Sequence, residues 1–326
     1  MKSWTYLFFV VFSLISVSHS AVVQYATVGF AGWTGAEVRE IRNGKIAGFR
    51  YENLFLGRRE EGFIQDISTQ TTSSYSYPGQ TSTQIYAIST TDNSRIGGMI
   101  YSSNLFYQVF GFAANSSNTS TNKINPPEAY RSSVESINGT RTVGWYDSGL
   151  SSNNKGFVHQ GSDYSTGYTT VAYPDVNSSS TRLTGIQDDI LVGTTTINAV
   201  DYGFIYDLSK TSNQYSIPLI ITNSTDTRFN DINDNFIVGT ATIGGIDKPF
   251  LCDFLTGRVE FFTSPEGFSA EGYSYDNGII AGTYTTPSGE KLGFYANVPE
   301  PNSKTLIALS LFLQALLNRS RRLRTK

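Results

Sequence analysis

Between Ala21 and Asn297 the apolar residues fall in short runs rich in β-branched and aromatic side chains, broken by Asn, Asp and Gly, with no long apolar stripe at a 3.6-residue period. Such runs predict strands, and the breaks, which supply the positive φ angles of tight turns, predict hairpins. The pattern repeats. A polar turn, then an apolar residue or two and a glycine, recur as "IRNGKIAG", "TDNSRIGG", "INGTRTVG", "IQDDILVG", "INDNFIVG" and "YDNGIIAG". The closing glycines are Gly48, Gly98, Gly144, Gly193, Gly239 and Gly282, spaced by 50, 46, 49, 46 and 43 residues.

Ten to fourteen residues after each of these comes a second marker, an aromatic behind a glycine: Phe63, Phe112, Phe157, Phe204 and Phe294, with Pro249 before Phe250 in the fifth copy. The glycine before each aromatic leaves room for a neighbouring backbone or ring. A weaker third marker is a Thr/Tyr-rich strand ending in proline, as in "TSSYSYPG" and "YTTVAYPD". Four strands in a period of 40–50 residues are the pattern of a propeller blade. Residues 21–297 are therefore expected to form an all-β, closed six-bladed β-propeller of four-stranded blades. "VQYATVGF" at 23–30 lacks a preceding Gly-Phe strand and "LGFYAN" at 292–297 lacks a successor, so the two halves complete one blade and leave no open edge. An open array or a pair of sandwiches is the alternative.

The two ends read differently. Residues 1–20 run from Lys2 through an apolar stretch to the small residues of "SVSHSA", the order of a secretory signal peptide. At the other end "VPEP", an oily run and an arginine cluster close the chain. The 13 residues Thr305–Leu317 make a helix about 20 Å long, short of a hydrocarbon core of about 30 Å. Arg319, Arg321, Arg322 and Arg324 would keep its end cytoplasmic by the positive-inside rule. Without residues 1–20 and the tail from Asn302 onward the body holds 17 basic and 27 acidic residues, net about −10, which argues against nucleic acid as a partner. A single cysteine, Cys252, excludes a disulfide framework within the chain.

The motif Val298-Pro299-Glu300-Pro301, the hydrophobic run and the arginines resemble the PEP-CTERM sorting signal of Gram-negative bacteria, here residues 298–326. That resemblance implies handling by an exosortase-like membrane enzyme, a transient inner-membrane anchor through a short C-terminal transmembrane helix, and delivery to the cell surface or an exopolysaccharide matrix. The body resembles the extracellular HAF-type repeats of such proteins, a likeness of structural residues that brings no catalytic residue with it.

Candidate chemistry is sparse. His159 is the single histidine outside the leader and reads as a strand-end surface residue, which argues against a Ser-His-Asp triad or a multi-histidine metal site. Asp231, Asn233 and Asn235 imitate half a calcium loop, but Phe236 and Thr242 stand where that loop needs Gly and Glu, so a hairpin turn explains them. Asp188 with Asp189, and Glu60 with Glu61, are adjacent and point to opposite faces of a strand. Trp33, Trp145 and Tyr146 read as core, with sugar stacking as the alternative. These readings lead to no catalytic residue, no metal and no cofactor, and to a monomeric, non-enzymatic surface or matrix protein whose propeller contacts carbohydrate or protein. The competing expectation is a polysaccharide-active hydrolase or lyase, whose carboxylates would come from different blades.

Overall fold

The computed structural model describes residues 25–298 apart from 56, 92–93, 102–108, 116–120, 150–152, 162, 213 and 217. Residues 1–20, Pro299, Glu300, Pro301 and the tail with Arg319, Arg321, Arg322 and Arg324 lie outside the described residues. The first repeat unit runs β2 (Gly35–Arg42), β3 (Lys45–Leu54), β4 (Gly57–Asp66) and β5 (Thr72–Tyr75), after a lone β1 (Tyr25–Val28). The second is β6 (Ser82–Ile88), β7 (Arg95–Tyr101), β8 (Val109–Asn115) and β9 (Thr121–Ile124). The third is β10 (Arg131–Asn138), β11 (Arg141–Asp147), β12 (Lys155–Gln160) and β13 (Tyr168–Val171). The fourth is β14 (Ser178–Gln187), β15 (Ile190–Ile197) and β16 (Val200–Asp207), with isolated bridges Gly203↔Leu219 and Tyr206↔Tyr215 beyond β16. The fifth is β17 (Asp226–Asn233), β18 (Phe236–Ile243), β19 (Ile246–Asp253) and β20 (Arg258–Phe261). The sixth is β21 (Ala270–Asp276), β22 (Ile279–Thr285) and β23 (Lys291–Asn297).

Within each unit consecutive strands pair antiparallel, and the fold is an all-β propeller. The turns sit where the Asn/Asp/Gly breaks predict them: Asn43, Gly44, Asp188, Asp234, Asn277 and Gly278 all take positive φ at hairpin tips. As the half-blade pattern predicts, β1 pairs with β23, from Tyr25↔Ala296 to Val28↔Gly293. The expected count of six separate blades is corrected by the pairing. Four sheets stand alone, whereas the first two units join into one eight-stranded sheet through a parallel bridge, Glu60↔Ser82. The Glu60 carboxylate makes the join by accepting from Ser82 Oγ and, at 2.6 Å, from Gln84 Nε2.

All six repeat aromatics, Phe63, Phe112, Phe157, Phe204, Phe250 and Phe294, are fully buried. Each faces its unit's repeat glycine across the ladder, as in Gly48↔Phe63 and Gly282↔Phe294. A residue of the next unit fills the space over the glycine that precedes the aromatic. A Cβ at Gly156 would lie 2.8 Å from Leu183 Cγ, and one at Gly62 would lie 2.7 Å from Ile85 Cγ1. The fifth unit breaks the marker with Pro249, and the sixth answers it: Gly272 stands where the other units carry Val38, Ile85, Val134, Leu183 or Phe229, and its absent side chain leaves room for the Pro249 ring. At the sixth unit, Gly293 receives Val38 of the first, so the same interlock runs across the chain ends.

Candidate functional site

One irregularity recurs in every unit. The innermost strand slips register by one residue opposite the repeat glycine, between Val38/Glu40, Ile85/Ala87, Val134/Ser136, Leu183/Gly185, Phe229/Asp231 and Gly272/Ser274. A bulge of this kind leaves one residue unpaired and turns its side chain out of the ladder. The six residues released are Arg39, Tyr86, Glu135, Thr184, Asn230 and Tyr273. The repeat glycines are what allow it. A Cβ at Gly48, Gly98, Gly144, Gly193, Gly239 or Gly282 would run into the backbone carbonyl of the bulging strand, namely that of Glu37, Gln84, Ser133, Arg182, Arg228 or Glu271.

All six bulged residues line one cavity of about 480 Å³, together with Trp145, Asn154, Ser180, Arg182, Arg228 and Glu271 among others. Arg39 lies between two tyrosine rings, its guanidinium carbon 3.9 Å from the Tyr273 centroid and 4.5 Å from that of Tyr86. Burial works against the Arg39 charge, but Tyr273, Tyr86 and Glu37 outweigh it and hold its pKa above the ordinary value. Arg228 bridges Asp247 and Glu271, both at 3.1 Å, and Tyr273 donates its hydroxyl to Glu271. Burial alone would raise the Glu271 carboxyl; Arg228 and the tyrosine hydroxyl reverse that and hold it below the usual carboxylate range. Across the cavity Glu135 Oε1 accepts from Trp145 Nε1 at 2.8 Å and from Ser133 Oγ at 2.7 Å. Arg182 stacks on Trp145, 4.9 Å from its centroid, and with the Asn154 amide oxygen turned toward it donates through Nε and Nη2 at 2.9 Å.

Beyond the bulges the axis is filled. Arg42 Nη2 donates to Asp231 at 2.7 Å, its Nε lies 3.0 Å from Glu40, and its Nη1 donates to the Tyr275 carbonyl at 2.9 Å. Ser274 Oγ reaches both carboxylates, Asp231 at 2.8 Å and Glu40 at 3.0 Å. Burial, opposed by Arg42, raises the Glu40 and Asp231 carboxyls above the ordinary range. Glu40, Arg42, Asp231 and Ser274 are each 3% exposed or less, so this layer plugs the axis and makes the cavity a blind funnel.

The residues singled out in the sequence fall mostly outside the funnel. His159 is fully buried rather than at the surface. Tyr164 stacks on its ring and Tyr168 packs against it at a tilt, with centroids 4.5 and 4.9 Å away, and its Nε2 contacts the Asp163 carbonyl at 2.9 Å. Asp231 is engaged by Arg42 and Ser274, while the Asn233 amide donates to Asp276 at 3.0 Å, so the calcium-like segment is a hairpin whose side chains serve the plug. Glu60 and Glu61 point apart, Glu60 toward Ser82 and Glu61 toward Arg50. Asp188 forms a turn, and Asp189 pairs with Arg141 at 2.8 Å. Trp33 packs under Arg50 and Arg59, and Tyr146 is buried. Trp145 alone of the three candidate aromatics lines the funnel. Cys252 is buried, which pushes its thiol up to about 12. Val298, the one described residue of the Pro-Glu-Pro motif, packs into the core and donates its N–H to the Gly278 carbonyl at 2.7 Å.

The funnel residues carry no type signal in sequence because all that they share is a backbone position. In five of six units the bulged residue stands nine places before the repeat glycine, and in the second unit, with its longer turn, twelve.

No protein-family model matches the chain, and no curated protein does either. Among solved structures it is similar to the β-propeller domain of the Trilobed protease from Pyrococcus furiosus, which has an open velcro topology. The TM-score is 0.51 at 10% identity, over 84% of this chain and 98% of that one. It also overlaps TolB from Acinetobacter baumannii, with TM-score 0.49 at 13% identity, over 78% of this chain and 64% of that one. At 10% identity the first of these likenesses shows the propeller fold and nothing finer. Among the described residues no helix is long and apolar enough to cross a membrane.

Proposed function

We propose that this protein is an exported, non-catalytic propeller that presents a carbohydrate-binding funnel at the cell surface or in an exopolysaccharide matrix. The observation that carries the binding role is the convergence of one bulged residue per unit on a single blind cavity. The cavity mixes rings, amides, hydroxyls and charged groups, a combination that suits ring stacking together with hydroxyl hydrogen bonds. The test is retention of the full chain on immobilised glycans, with Trp145→Ala as the variant that abolishes it. Equal retention of the variant and the native chain would sink the reading.

Export and sorting belong to the same proposal and rest on the sequence: a signal peptide over residues 1–20 and a PEP-CTERM-like tail over 298–326, processed by an exosortase-like partner. The surface form should end near Pro301, as read by intact mass. A species that still carries Lys326 would show the tail to be a plain anchor.

One observation favours a second reading as a hydrolase: Glu135 and Glu271 come from different units and line the same funnel. Glu271 is held ionised by Arg228, which suits a nucleophile or base and leaves the acid role unfilled there. Release of new reducing ends from any bound glycan, lost in Glu135→Gln, would establish that reading over the first.

A further inference from the structure

The carbohydrate reading, on which this inference rests, leaves open how a polymer meets the site and which class of polymer it is. We infer that the funnel takes the terminus of an uncharged glycan chain, end-on, rather than the middle of a chain or an acidic polysaccharide.

The first part follows from shape. The cavity, about 480 Å³, is within the range of roughly 300–1,000 Å³ that holds a small ligand. Its floor is Glu40, which lines the cavity and is locked to Arg42 and Ser274, with Asp231 beside them, and each of the four is 3% exposed or less. A chain that enters at the mouth has no exit, so only an end can reach the bulged residues.

The second part follows from the polar groups left over. Among the described residues no Arg or Lys pairs with Glu135, which keeps Oε2 free of the Trp145 and Ser133 bonds at Oε1. Asp201 accepts at Oδ1 from Thr196 at 2.7 Å, and no ion pair is made to it among the described residues. The Asn230 amide nitrogen is spent on Gly272 O at 2.6 Å and Thr240 Oγ1 at 3.2 Å, which leaves its oxygen as an acceptor. Spare acceptors, two of them anionic, call for hydroxyl donors and repel a carboxylate or sulfate. Of the three arginines, Arg228 is paired with two carboxylates, Arg39 is paired with Glu37 at 3.6 Å between two rings, and Arg182 is engaged by the Trp145 ring and the Asn154 amide. The net charge of the body, about −10, adds a long-range barrier to an acidic polymer.

The experiment titrates the full chain with neutral oligosaccharides of glucan, mannan and galactan type, with the intact polymer of each at equal mass, and with oligogalacturonate as the acidic probe. End-on binding predicts that, at equal mass, the bound fraction follows the number of chain ends, so that short oligosaccharides outcompete their polymer at least tenfold. It also predicts at least tenfold weaker binding of oligogalacturonate. Glu135→Gln should lower affinity for the neutral ligand about tenfold and narrow its preference over the acidic one; a merely structural residue would not change that ratio. Equal binding of polymer and oligosaccharide per sugar unit would overturn the end-on inference and leave the carbohydrate reading standing. Tighter binding of oligogalacturonate would overturn the uncharged class. Failure of every glycan, neutral and acidic, would overturn both this inference and the reading beneath it.

Discussion

The funnel and the plug are built from the same strands and similar side chains, a few residues apart, and they behave oppositely. In the funnel Arg228 and Glu271 are 31% and 22% exposed, so their pairing is screened and each can exchange partners with a ligand. In the plug Arg42, Glu40 and Asp231 are 2–3% exposed, and two carboxylates share one guanidinium in a setting screened far less than the funnel. What separates them is the bulge. Before it the inner strands present side chains to a wet cavity, and after it they close on the axis. The funnel's charges are available for recognition, whereas those of the plug hold the first, fifth and sixth units together.

Removing the cation of the plug should have the largest effect. Arg42→Met leaves Glu40 and Asp231 buried without a counter-charge and should cost about 3–5 kcal/mol of stability in urea unfolding. A loss below about 1 kcal/mol would mean that water reaches the layer and that the contrast with the funnel is false. A smaller loss, about 1–3 kcal/mol, is expected for Gly239→Ala, where a methyl meets the Arg228 carbonyl and the Phe250 ring. Because the bulge sets up both regions, this variant should also weaken ligand retention, whereas Arg42→Met read at low denaturant should weaken it less.

The pH dependence sharpens the comparison further, with opposite signs at the two ends. Glu40 has its carboxyl raised by burial in the folded state, and it titrates as a unit with Asp231. Its contribution to stability is therefore full below the unfolded value, about 4.3, and is lost as pH rises through the folded value. Glu271, burial notwithstanding, is lowered by Arg228, so its contribution is present above the unfolded value and is lost as pH falls through the folded one. Melting temperatures across a pH series should show Glu40→Gln flattening the slope on the neutral side and Glu271→Gln flattening it on the acid side. The same slope change from both variants would break the distinction. The smallest expected effect is that of Arg182→Gln, about 0.5 kcal/mol in stability, because this exposed side chain gives up only its stacking on Trp145 and its bonds to the Asn154 amide.

Much of the architecture was legible because its devices are fixed in residue type. Only glycine lets the inner-strand carbonyl approach at Gly48 and its equivalents, only a large ring fills the site of Phe63, and Asn or Gly favours tips such as Asn277-Gly278. The pairing of β1 with β23 was legible from two half-patterns at the ends of the body. The merging of the first two sheets was not, since it depends on one carboxylate, Glu60, meeting Ser82 and Gln84 across a unit boundary. His159 was misplaced because its cover comes from Tyr164 and Tyr168, on a loop and strand that fold back over it, a contact invisible in strand periodicity. The funnel escaped because a bulge constrains the backbone and leaves the side chain free to vary from Arg39 to Tyr86 to Glu135.

The pairing of β1 with β23 has a mechanical consequence for the surface tether proposed above. Any tether joined after Val298 would deliver its pull directly into β23, which is an interior strand of its sheet, bonded on one side to β1 and on the other to β22. Tension along that strand would load the hydrogen bonds of both edges together, in shear, rather than peel them open one at a time. The strand that leads out of the ring is thus among those gripped on two sides, and drag on the tether would be shared by the first residues of the body and the last.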